Sequence, residues 1–76
     1  MARKKENLGT RLTRLREIAK LNRLELAALA GVSQGALQLI EKGVTRSPSA
    51  IVISKICQAL KISSAELLGE EANAQR

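Results

Sequence analysis

Apolar residues in this chain fall into short helical runs, each bracketed by residue types that start or stop helices. Leu8, Leu12, Leu15, Ile18 and Leu21 recur every three or four positions, the stripe of an amphipathic helix. The spacing predicts a first helix over about 8–20, with Arg11, Arg14 and Lys20 between the apolar positions and Asn7 as N-cap. Asn22-Arg23-Leu24-Glu25 restarts the pattern as an N-cap with a carboxylate three residues on, the arrangement of a capping box. A second helix then runs through Leu26, Ala27 and Ala30 and stops at Gly31, the residue that enters left-handed backbone at least cost. Ser33 opens a third, through Leu37 and Ile40 to Lys42, and Gly43 ends it. Two short helices joined by a glycine-containing turn make a helix-turn-helix in outline.

Residues 43–47 read as a loop, and Ser47-Pro48 as the start of a fourth helix, with serine as cap and proline at the first helical position. That helix is expected to reach Leu60 with Ala50, Ile53, Ile56, Cys57 and Leu60 on one face. Ser63-Ser64-Ala65-Glu66 has the capping-box spacing for a short fifth helix carrying Leu67 and Leu68, closed by Gly69. The expected architecture is all-α: a compact five-helix domain over residues 8–69, between a basic N-terminal arm at 1–7 and a polar C-terminal tail at 70–76.

Composition narrows what such a domain can do. A chain of 76 residues holds one small core. It has no Phe, Tyr or Trp, which removes the single-strand binders that stack bases on aromatic platforms. With no His and only Cys57, it lacks the parts for a catalytic triad, a zinc finger or a disulfide framework. The net charge of +6 lies entirely in residues 1–23, where eight basic side chains face Glu6 and Glu17; the remainder is balanced. A cationic end points to a polyanion, either phosphate backbone or anionic membrane. Glu6, Asn7 and Thr10 interrupt any signal-peptide core, and the longest apolar run, Ala50–Ile53, is far short of a span. The expected location is the cytoplasm, with Cys57 reduced and serving as a small core residue.

The stretch from Asn22 to Gly43 resembles the lambda-type phage repressor and Cro helix-turn-helix family, an XRE-like DNA-binding domain. The pieces that carry the resemblance are Leu26-Ala27, Gly31-Val32-Ser33, Leu37 with Ile40, Glu41-x-Gly43 and Ser47-Pro48-Ser49, and it extends from Leu8 to Leu68. It implies a regulator that sits on a double-stranded DNA operator with the third helix in the major groove. Carried over, the base-reading positions are Gln34, Gly35, Ala36, Gln38 and Leu39. Gln34 stands where an amide pairs with adenine, Ala36 where a methyl meets thymine, and Gly35 and Leu39 where polar side chains are more usual. Phosphate contacts fall to Asn22 and Arg23 (both through their backbone N–H groups, Arg23 also through its side chain), Ser33, Lys42, and the loop Thr45-Arg46-Ser47. Arg16 and Glu41 match a pair that braces the reading helix in relatives.

Leu24, Leu29, Leu39, Ile51 and Val52 stand where the family usually has polar residues. Ile51 and Val52, off the expected core face, are candidates for a homodimer contact, and a dimer fits a two-fold operator. No catalytic residues, metal site, cofactor or small-molecule substrate are expected. Two other uses fit the same residues: a helix-turn-helix that engages a protein partner, and an antitoxin or restriction-control regulator.

Overall fold

Helix ends in this chain are set by side-chain caps, and the caps explain where each element begins. The computed structural model describes residues 7–69, so the basic arm (Arg3, Lys4, Lys5) and the tail Glu70–Arg76 lie outside the described residues. The elements are α1 (Leu8–Ile18), α2 (Arg23–Ala30), α3 (Gln34–Glu41), α4 (Ala50–Leu60) and α5 (Ser64–Leu68). Asn7 Oδ1 accepts from the Thr10 N–H at 2.8 Å, and Ser33 Oγ from the Ala36 N–H at 3.0 Å. At α2 the box is complete: Asn22 Oδ1 accepts from the Glu25 N–H at 2.7 Å, and the Asn22 N–H donates to Glu25 Oε1 at 2.9 Å. At α5 the Ser63 hydroxyl accepts from the Glu66 N–H, the first arm of the box alone.

Two boundaries differ from expectation. The fourth helix opens two residues later than Pro48, because Ser49 rather than Ser47 is the cap: its backbone is extended and its hydroxyl accepts from the Val52 N–H at 3.2 Å. Ala50, expected inward, is then the exposed first residue of that helix. The first helix ends at Ile18, because Lys20 turns left-handed (φ 64°). Lys20 N–H then donates to Glu17 O, and Leu21 N–H to Arg16 O. This pair of bonds is a Schellman turn. It swings Leu21 back against the core and leaves Ile18 exposed. The same paired bonds end α3 at Gly43 and α4 at Lys61.

Helix α2 packs across α4 and against α3, while α1 lies on α3 and α5. The core is aliphatic: Leu12, Leu26, Leu37, Ile56 and Leu67 are fully buried, with Ile40, Ile53, Cys57 and Leu60 around them. Ala27 and Ala30 are the buried small residues of α2, which let its backbone approach its neighbours. Cys57 belongs to this core; burial first, and the Glu66 carboxylate second, push its thiol pKa up, so it stays protonated and inert. Among the described residues, no helix is long and apolar enough to cross a membrane.

Candidate nucleic-acid interface

Helix α3 turns Leu37 and Ile40 into the core and leaves its other face open. Gln34 and Gly35 are exposed at its start, Ala36 and Gln38 are half-buried, and Leu39 is 44% exposed. The five positions expected to meet bases therefore share one accessible helix, with the fold holding its opposite side.

The C-terminal end of α3 is tied to two other elements. Arg16 Nε lies 2.8 Å from Glu41 Oε2, and Arg16 Nη2 lies 3.4 Å from Oε1. The same guanidinium donates through Nη1 to the Leu21 carbonyl at 2.8 Å. Arg23 adds a longer contact, its Nε 3.9 Å from Glu41 Oε1. The Arg16 and Glu41 side chains are only 12% and 8% exposed, so water screens this pair weakly. One carboxylate thus links the end of α1, the first turn of α2 and the end of α3. Glu41→Gln keeps the shape and removes the charge. It should cost about 1–2 kcal/mol, between the values for exposed and buried pairs. The loss should persist in high salt; a gap between parent and variant melting midpoints that closes in 0.5 M salt, roughly a 4 Å Debye length, would show an ordinary surface pair.

A second constraint on α3 was not visible in the apolar pattern. Gly9, buried in the first turn of α1, lies against the last carbonyls of α3; a Cβ there would stand 2.5 Å from both Ile40 O and Glu41 O. The available signal was a glycine inside an amphipathic helix, where intrinsic propensity disfavours it.

Around this helix sit the residues expected at phosphates. Asn22, Ser33, Lys42, Arg46 and Ser47 are exposed, and Arg23 and Thr45 are half-buried. The Asn22 N–H, expected to meet a phosphate, is already engaged: the Glu25 carboxylate of the capping box accepts from it. Ser33 Oγ accepts from Ala36 N–H, which leaves its O–H as a donor. Lys42, Thr45 and Arg46 line one cleft of about 500 Å³ with Asn7, Gly9 and Gly43, between the start of α1 and the end of α3. Arg46 and Ser47 also border a larger, more apolar groove of about 720 Å³ against Pro48, Ala50, Ile53 and Leu68.

The two expected dimer residues part company. Ile51 is 68% exposed, whereas Val52 is half-buried and packs against the core, since neighbours on a helix point about 100° apart. Leu24 and Leu29 on α2 are exposed at 61% and 63%. Among the described residues, no group of His, Cys, Asp and Glu could hold a metal ion.

A family model described as "Helix-turn-helix" matches residues 12–67. The chain is 34% identical over 64 residues to the antitoxin PezA of Streptococcus pneumoniae serotype 4; this covers 84% of the chain and 40% of that protein. Among solved structures it is similar to the restriction-modification controller protein C.AhdI from Aeromonas hydrophila, with 35% identity and a TM-score of 0.74 over 79% of this chain and 89% of that one. It is also similar to a chain of the SinR protein/SinI protein complex, with 30% identity and a TM-score of 0.80 over 88% of this chain and 65% of that one. The chain thus spans two fifths of PezA and under two thirds of the matched chain in that complex.

Proposed function

The chain belongs to this helix-turn-helix family, and we propose that residues 8–69 form the DNA-binding unit of a transcriptional regulator that reads an operator's major groove with α3. The observation that carries this reading is the division of α3 into a locked inner side and an open outer side. A rigid reader is what base recognition needs, since hydrogen bonds to base edges tolerate little displacement.

Gln34, Gly35, Ala36, Gln38 and Leu39 meet base edges, with the Gln34 amide paired to adenine N6 and N7. Arg23, Ser33, Lys42, Thr45, Arg46 and Ser47 hold phosphates and fix orientation. Asn22, its backbone N–H engaged, contributes its side-chain NH2 group. The Arg16–Glu41 brace keeps α3 at a constant angle. Ile51, exposed on α4, is where a second copy docks, so that two reading helices reach half-sites about 34–36 Å apart. The protein acts in the cytoplasm as a binder and not as an enzyme.

Binding to a random duplex tests the reading. Affinity should fall steeply between 50 and 200 mM salt, with a log–log slope of about −0.9 per neutralised phosphate. On a selected operator, Gln34→Ala should lose about 1–3 kcal/mol of preference at one base pair. Duplex affinity absent at both salt concentrations would favour a second reading, in which the fold engages a protein partner. Leu24 and Leu29 support that alternative, because phosphate and base contacts leave both leucines unexplained. An antitoxin or restriction-control regulator, as the names of two relatives suggest, would combine both uses.

A further inference from the structure

The chemistry presented by α3 narrows the DNA it selects, given the reading just proposed. Its outward face carries two amides, a glycine, a methyl and an isobutyl group, from Gln34, Gln38, Gly35, Ala36 and Leu39. There is no Arg or Lys in α3, and these are the side chains that pair with guanine O6 and N7. The one carboxylate, which would accept from cytosine N4, is Glu41, and it is held by Arg16. Nearby cations are placed elsewhere: Arg23 beside Glu41, Lys42 at the C-terminal cap, and Arg46 along the clefts that contain Leu8.

Gly35 supplies an independent observation. A Cβ built there meets nothing within 4 Å, and its backbone is ordinary helix. The fold therefore has no use for a glycine at an exposed position where alanine would make a better helix. A bare backbone at the start of α3 would instead let that helix lie close to a surface outside the chain. The backbone at Leu39 is firmly placed as well, because its carbonyl accepts from both Val44 N–H and Thr45 N–H, at 3.0 and 3.1 Å.

We infer that α3 is a thymine-methyl reader: Gly35 permits close approach, Ala36 and Leu39 pack on the C5-methyl groups of A·T pairs, and the operator half-site is A·T at the positions α3 touches. Apolar contact discriminates thymine because its C5-methyl is the only methyl group an unmodified base pair shows in the major groove.

The test begins with selection from a random duplex pool by the full chain, followed by replacement of the half-site thymines with deoxyuridine, which deletes only the methyl. The expected result is an A·T half-site and about four-fold weaker binding per contacted methyl, from the transfer free energy of one buried carbon. In Leu39→Ala, a substitution at a surface position, the deoxyuridine penalty should vanish at one base pair. Gly35→Ala should raise the melting midpoint while weakening operator binding, which separates recognition from folding. Enriched sites with G·C at the contacted pairs, or equal affinity for thymine and deoxyuridine duplexes, would overturn the inference and leave the regulator reading standing. An unenriched pool with no salt-dependent binding would overturn both.

Discussion

Gly9→Ala should lower the melting midpoint by about 10–20 °C, corresponding to roughly 2–3 kcal/mol in a domain of this size. Two opposing effects set the sign. In an open helix, alanine would gain up to about 1 kcal/mol over glycine. Here the new methyl meets Ile40 O and Glu41 O at 2.5 Å, and both are backbone atoms that cannot rotate away. Ordinary van der Waals contact begins near 3.4 Å, so α1 and α3 must separate by roughly 1 Å. That movement also pulls on the Arg16–Glu41 bonds that join the same two helices. Circular dichroism melts of the variant check the result. An unchanged or higher midpoint would mean that α1 does not press on the end of α3. The contrast with Gly35→Ala is informative, because the same chemical change should act with opposite sign at a position surrounded by open space.

Leu37→Ala should remove about 2–5 kcal/mol, the combined cost of lost transfer free energy and an unfilled cavity. Leu37 is fully buried, and α3 packs on both α1 and α2. Domains of this kind have little to lose, since total stabilities begin near 5 kcal/mol. The denaturation midpoint in urea should fall accordingly, and a substantial unfolded fraction should appear without denaturant. Ile40→Ala, in the same core, should behave alike. Excess operator duplex should partly restore the midpoint by mass action if the outer face of α3 survives in the folded fraction. A midpoint within error of the parent would place Leu37 outside the core and rotate the whole proposed reading face.

Much of this fold is legible in one dimension because its rules are local. Asn7, Asn22, Ser33 and Ser63 cap the helices expected of them, since a cap needs only a side-chain oxygen three residues before an orphan amide. Leu12, Leu26, Leu37, Ile40, Ile53 and Ile56 face inward because the 3.6-residue period puts them on one side. Where two local answers competed, the pattern was ambiguous. Ser47 and Ser49 flank the same proline, and only the structure shows which hydroxyl reaches an amide. Ile18 continued the apolar stripe of α1, but the left-handed turn at Lys20 ended the helix at that residue and left the side chain outside.

The site divides in the same way. Exposure of Gln34 and Gly35 follows from the period of α3, and the commitment of the Asn22 N–H to Glu25 from the capping-box spacing, whereas the inward packing of Val52 depends on the helices around it. By itself, the order of residues determined five helices, the caps of four of them, most of their inward faces and an α3 with no cationic side chain, because period and capping act over a single turn. The tertiary structure alone decided that α1 rests on the carbonyls of α3 at Gly9 and that Arg23 joins the Arg16–Glu41 pair, which the family resemblance had already implied. Those contacts depend on distances between segments far apart in the chain, which packing sets and no local rule contains.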